Sequence, residues 1–181
     1  MTAPTDAPSP LRVLFVCTAN IARSPYAHLR TADLVKGQPV TVASAGIPGM
    51  VGRPMDPEMA SQLSARGGDP SGHVSRVLTG ETVAQSDLVV TVEFAQRMRI
   101  LDSWPDATER VFGLHQLVDA LHRVPAGLSG RALVQGAWQV TAPDSMTWDV
   151  RDPHRRGRKA ARACAEEIDE ALAVIVPALV G

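Results

Sequence analysis

Residues 11–25 run LRVLFVCTANIARSP. The first seven, Leu11–Cys17, form a nearly continuous apolar and β-branched run, which suits a strand buried on both faces. Ser24-Pro25 then opens a helix to about Lys36, since proline suits the first helical position. Between strand and helix lie Thr18, Ala19, Asn20, Ile21 and Ala22, followed by Arg23. In an open α/β sheet, ligands bind at the carboxyl ends of strands. A short loop entering a helix turns its N–H groups inward, forming an anion-binding nest at the positive helix end. Five residues let that loop wrap a tetrahedral dianion, and Arg23 adds a planar fork for two oxygens. The Cys17 sulfur sits at the centre. Cationic surroundings favour the thiolate, which is the nucleophilic form. Aimed hydrogen-bond donors are worth about 2.7–4 kcal/mol each, so the cradle and Arg23 matter more to rate than ionisation of the thiol. A bare Cys-x5-Arg arises often by chance, and an isolated Cys17 would read as a packed core thiol. The flanking strand and helix supply the context that the chemistry demands.

The remaining chain continues the alternation. Pro39–Ala45 reads as a second strand, and Asp56-Pro57 starts a second helix that ends at Gly67-Gly68. Thr79–Gln85 reads as a short capped helix, Asp87–Val92 as a third buried strand and Glu93–Trp104 as a helix. Arg110–Leu114 is a short fourth strand, and His115–Arg123 another helix. Residues 124–150, rich in Gly, Pro, Ser and Gln, show no clear period and read as one long loop. Arg158–Leu179 is a terminal helix. This pattern predicts a four-stranded parallel sheet with helices on both faces, a three-layer α/β/α fold.

Composition narrows the function. The chain has 181 residues, enough for one domain with a full core. Residues 1–10 read as a disordered leader, leaving 11–181 as a single domain. Eighteen basic residues face nineteen acidic ones, a net charge of -1. No global positive field exists to hold nucleic acid or an anionic membrane. The two cysteines cannot make a secreted disulfide framework. MTAPTDAPSP lacks the basic and apolar regions of a signal peptide, and Leu172–Val180 is too short to span a bilayer. A cytoplasmic protein is expected. His115 and His122 lack a third ligand nearby, so neither metal nor cofactor is expected.

VLFVCTANIARSP resembles the phosphate-binding loop of the low-molecular-weight protein tyrosine phosphatases. Ser44-Ala45-Gly46, Gly52-Arg53-Pro54-Met55-Asp56-Pro57, His73-Val74-Ser75-Arg76 and the late Asp152-Pro153 are similar to further family segments. The resemblance covers about residues 11–180, with 124–148 poorly matched. It implies a flavodoxin-like fold and a two-step phosphomonoester hydrolysis. Cys17 attacks phosphorus, while Arg23 and the amides of residues 18–24 hold the oxygens. Asp152 then protonates the leaving group and later activates water. Ser24 donates to the sulfur, and a left-handed Asn20, tied by Ser44 and His73, aims the amides.

The sequence departs from the family in three places. Ala19 replaces a usual glycine and is tolerable if its φ stays negative. Ala22 replaces a second cysteine, and Cys164 on the last helix reads as a packed thiol, so Cys17 lacks a resolving partner. After Asp152-Pro153, His154 and Arg155 replace the aromatic residues of many tyrosine-specific members. The cleft wall then falls to Glu93, Phe94, Trp148, His154 and Arg155, with Trp138 as a further aryl candidate. Residues 124–150 would lie over the cleft if they supply either tryptophan. The cluster Arg151, Arg155, Arg156, Arg158, Lys159 and Arg162 reads as a solvated helix start, or as a rim for an anionic substrate. A phosphotyrosine protein is the expected substrate. A small phosphomonoester, such as a nucleotide or phosphosugar, is the alternative. Arsenate reduction would need more cysteines, and a non-catalytic phosphate-binding module would not need both Cys17 and Asp152.

Overall fold

Along β1 (Leu11–Cys17) successive side chains enter two different cores. Val13, Phe15 and Cys17 join the larger one, Leu14 and Val16 the smaller one. This is why the strand reads as continuously apolar: both of its faces are covered. The computed structural model describes residues 9–181. β1 pairs with β2 (Val40–Gly46) and β3 (Leu88–Thr91), and β3 pairs with β4 (Val111–Gly113). The sheet is entirely parallel, in the order β2-β1-β3-β4.

The larger core lies under α1 (Arg23–Leu34), α2 (Pro57–Ser64), α5 (Leu114–Leu121), α6 (Gly130–Val140) and α7 (Gly157–Val180). Tyr26, Met59, Leu117, Leu133 and Ile168 carry these helices onto it. α3 (Gly80–Gln85) and α4 (Phe94–Ser103) cover the opposite face through Val83 and Ile100. Each fully buried Leu, Ile or Phe contributes about 1.5–3 kcal/mol through removal from water. The result is the three-layer, flavodoxin-like α/β/α fold. No helix among the described residues is long and apolar enough to cross a membrane.

This topology decides where a ligand can sit. The chain leaves β1 toward β2 on one side and returns to β3 on the other. The crevice at this switch lies beyond the carboxyl ends, where Cys17 is level with Gly46 and Val16 with Thr91.

The elements expected from sequence are present, with shifted ends. α1 starts at Arg23, so Pro25 is its third residue and not its first. The first-turn N–H groups have no intrahelical acceptor in any case, and proline is equally harmless there. The expected loop over 124–150 is corrected. It contains α6, which buries Leu133, Val134 and Ala137, and a 3-10 turn at Met146–Trp148. Gly136 disguised the helix. A Cβ there would come within 2.6 Å of the Leu128 side chain, so glycine lets the preceding segment pack closely against α6. The region does not place Trp138 over the cleft, because that ring meets Phe112 edge-on in the core at 6.4 Å. The leader expected over 1–10 falls, at residues 1–8, outside the described residues.

Candidate active site

Cys17 ends β1 and is 2% exposed. Its Sγ accepts the Asn20 N–H at 3.3 Å and lies 3.0 Å from Ser24 Oγ. The loop after it is fixed from behind. Ile47 and Gly49 donate to the carbonyls of Cys17 and Thr18, each at 2.9 Å. A Cβ on Gly46 would stand 2.8 Å from the Thr18 carbonyl, so the end of β2 must be glycine to pass this close. The N-cap of α1 is Ala22, with no side-chain hydrogen bond to the first turn. The helix therefore begins with donors that a side chain does not satisfy, which suits an anion.

Asn20 organises the loop. Its φ of 59° is left-handed, a conformation asparagine tolerates better than most residues. Its amide donates to Ser24 Oγ and Ser44 Oγ, both at 2.9 Å. Its side-chain oxygen accepts the Arg76 N–H at 3.0 Å, and its carbonyl accepts from His73 Nε2 at 2.7 Å. Ala19 is not among the described residues with positive φ.

Two supports were not singled out from sequence. Arg76 Nε donates to the Ser44 carbonyl at 2.7 Å, and His28 Nδ1 lies 3.2 Å from Ser44 Oγ. Burial, then the charges of Arg76 and His73, push His28 down to about 4. Burial also lowers His73, while its bond to Asn20 opposes that. Neutral imidazole at position 28 lets Ser44 donate to it while accepting from Asn20. His28 sits on α1 among apolar residues, so nothing in the sequence signalled this role.

Arg23 is 2% exposed. One Nη donates to Glu93 Oε1 and to the Val150 carbonyl, the latter at 2.8 Å. The other lies 3.6 Å from Asp152 Oδ2. Burial opposes its charge, but Glu93, Cys17 and Asp152 more than compensate and raise its pKa. Its buried Nε has no protein partner. A buried guanidinium donor without an acceptor is costly unless an anion meets it.

Cys17, Thr18, Ala19, Ile21, Ala22, Arg23, Asp152 and His154 line a pocket of about 80 Å³. Asn20 and Ser24 stand behind it, fully buried. The other nearby carboxyls are engaged elsewhere. Asp149 accepts the Phe94 N–H at 2.6 Å, and burial raises Asp144, which faces Arg97. Of the expected cleft wall, His154 lines the pocket. Glu93 is drawn to Arg23 and Gln96 instead. Phe94, Trp148 and Arg155 are not among the lining residues. Phe94 is held at the start of α4, Trp148 in its 3-10 turn, and Arg155 in a left-handed turn at φ 59°. A larger cavity of about 350 Å³ flanks Asp152 and includes Arg151, Arg156, Lys159 and Cys164. The rest of the basic cluster is partly neutralised: Arg162 meets Glu166 at 2.8 Å, and Arg158 meets Glu58 at 3.7 Å. Among the described residues no His, Cys, Asp and Glu group of three or more could hold a metal ion.

The family model described as low molecular weight phosphotyrosine protein phosphatase matches residues 12–128. The chain belongs to that family. A probable low molecular weight protein-tyrosine-phosphatase EpsP of Ralstonia nicotianae is 36% identical over 105 residues, 58% of this chain and 71% of that protein. The phosphatase Wzb of Salmonella typhimurium is 28% identical over 84% of this chain and 83% of its own. Among solved structures, the low molecular weight protein tyrosine phosphatase of T. tengcongensis aligns with a TM-score of 0.74 and 26% identity. It covers 93% of this chain and 99% of that one. The YwlE arginine phosphatase of Geobacillus stearothermophilus aligns at 0.72 and 24% identity, over 93% and 92% of the two chains, and shares the fold. The family match ends before Asp152, the acid that the Asp152-Pro153 resemblance implies; it lines the same pocket as Cys17 and lies 3.6 Å from Arg23.

Proposed function

We propose that this phosphatase hydrolyses phosphotyrosine on proteins through a phosphocysteine at Cys17, with residues 11–181 acting as one catalytic domain. The observation that carries the reading is the single pocket in which Cys17, Arg23 and Asp152 meet. The Cys17 thiolate attacks phosphorus, and the S–P bond forms as the bond to the tyrosine oxygen breaks. Asp152, protonated at that moment, gives its proton to the departing oxygen. Arg23 and the amides of residues 18–24 hold the equatorial oxygens, where negative charge is greatest. Water then attacks phosphorus and passes a proton to Asp152. The S–P bond breaks, its electron pair returns to sulfur, and the Ser24 hydroxyl stabilises the thiolate. His154 and Ile21 line the mouth where a substrate ring would enter. No step calls for a metal or cofactor. A cytoplasmic setting, which keeps Cys17 and Cys164 reduced, suits this chemistry.

Phosphate release from a panel tests the reading: an aryl phosphate, phosphotyrosine and phosphoserine peptides, phosphoarginine, nucleotides and phosphosugars, with Cys17→Ser as blank. The expected result is turnover of the aryl and phosphotyrosine substrates, abolished in the blank. Preference for phosphoarginine, nucleotides or sugars would overturn the substrate; release that survives Cys17→Ser would overturn the mechanism.

A further inference from the structure

His154 makes two contacts, one with the acid and one with a buried carboxyl on another loop. Its backbone N–H donates to Asp152 Oδ1 at 3.2 Å. Its ring Nδ1 lies 2.7 Å from Asp56 Oδ2, and since an ionised carboxylate can only accept, His154 is the donor. Asp56 is 7% exposed and already committed twice. Its other oxygen caps α2 by accepting the N–H groups of Glu58 and Met59 at 3.1 and 3.2 Å. Its own N–H donates to the Ile21 carbonyl at 2.7 Å, inside the phosphate loop. One residue therefore joins the phosphate loop, the start of α2 and, through His154, the loop that carries Asp152. The Asp152 side chain itself is 48% exposed and 3.6 Å from Arg23, too long for a hydrogen bond. Nothing else among the described residues anchors that carboxyl across the pocket.

We propose that His154 is a positioning residue, and that its bond to Asp56 sets the distance between the Asp152 carboxyl and the phosphorus held over Cys17. The inference rests on the reading of Asp152 as general acid. Proton donation needs heavy-atom approach near 2.6–3.2 Å, so an acid on an exposed loop works only if the loop is tethered to the cradle. The tether ends on a buried carboxylate whose backbone is bonded to the cradle.

The test reads kcat/KM for a series of aryl phosphates of rising leaving-group basicity, since a poor leaving group depends most on the acid. His154→Phe keeps a ring and loses the donor. Asp56→Ser keeps the α2 cap and is too short to reach His154. His154→Asn restores a donor near the Nδ1 position. Both tether-breaking variants are expected to lose about tenfold more on the most basic leaving group than on the least basic, a fraction of the roughly 10²–10⁴ that an acid supplies. His154→Asn is expected to recover the wild-type slope. Asp152→Ala is the benchmark. If it steepens the slope while His154→Phe and Asp56→Ser keep the wild-type slope or lose evenly across the series, the positioning role is wrong. If Asp152→Ala itself leaves the slope unchanged, the acid assignment and the positioning role both fall.

Discussion

Arg23 and Glu93 form an ion pair beneath the phosphate pocket, with the arginine almost fully buried and the glutamate side chain 24% exposed. The pair spans the crevice: Arg23 begins α1, and Glu93 is the N-cap of α4 on the other side of the switch point. Glu93 also accepts from Gln96, whose amide reaches Thr18 Oγ1 at 3.1 Å. The fork of Arg23 is therefore aimed before substrate arrives.

Glu93→Ala is expected to lower kcat/KM for an aryl phosphate by about ten- to a hundredfold, because a buried charge-assisted hydrogen bond is worth about 1.5–3 kcal/mol. Glu93→Gln keeps an acceptor for Arg23 and is expected to retain most of the activity. Steady-state kinetics of the two variants check this; equal activity in Glu93→Ala and wild type contradicts it.

Asn20 supplies both a backbone conformation and a hub of hydrogen bonds, and substitutions separate the two. Asn20→Gly keeps the left-handed φ and loses the bonds to Ser24, Ser44 and Arg76. Asn20→Ala loses the bonds and adds about 1–2 kcal/mol of left-handed strain. Urea unfolding is expected to rank wild type above Asn20→Gly above Asn20→Ala. Both variants are expected to lose more than about tenfold in kcat, since misplaced cradle donors cost about 2.7–4 kcal/mol each. A variant with normal kcat contradicts the account.

The half-buried imidazole at position 28 links the loop support to pH. Its folded pKa, about 4, lies below the unfolded value of 6.5. Between these values the unfolded chain takes up a proton that the native protein refuses. Stability is therefore present above about pH 6.5 and is lost as pH falls toward 4. His73 adds in the same direction. The loss for His28 is on the order of a few kcal/mol, since each tenfold difference in proton affinity between the folded and unfolded chain is worth about 1.4 kcal/mol. Urea melts from pH 7 to pH 4.5 are expected to show falling stability in wild type and a shallower fall in His28→Asn. Parallel slopes contradict the assignment.

The fold was legible because its central strand advertises two buried faces and its first loop must lie between a strand and a helix. Cys17 and Arg23 were legible from their spacing between a strand and a helix, whereas Asp152 was reached only through the resemblance of Asp152-Pro153 to the family's acid loop. The left-handed Asn20, tied by Ser44 and His73, was likewise an implication of that resemblance, compatible with asparagine's tolerance of the left-handed region. α6 was hidden by Gly130, which opens it, and by Gly136, which reads as a breaker until the close approach of Leu128 is seen. The supports contributed by His28, Arg76 and Asp56 were hidden for another reason. Each joins segments far apart in sequence, such as Asp56 and His154, and no local pattern reports such a pairing. Trp148 was drawn toward the cleft by the scarcity of aromatic residues, and Phe94 also by its place after the third strand; the 3-10 turn that holds Trp148 and the start of α4 that holds Phe94 leave both out of the pocket lining.

The central claim is a phosphoryl group carried on Cys17, and acid quench during turnover of an aryl phosphate, followed by peptide mass spectrometry, tests it most directly. Ser24→Ala should make the intermediate easier to see, because its hydroxyl lies 3.0 Å from the sulfur that must leave. The account predicts a phosphorylated peptide bearing Cys17 in wild type, with a larger steady-state fraction in Ser24→Ala. Turnover with no phosphorylated Cys17 in either protein, or with the phosphoryl group on another residue, would contradict it.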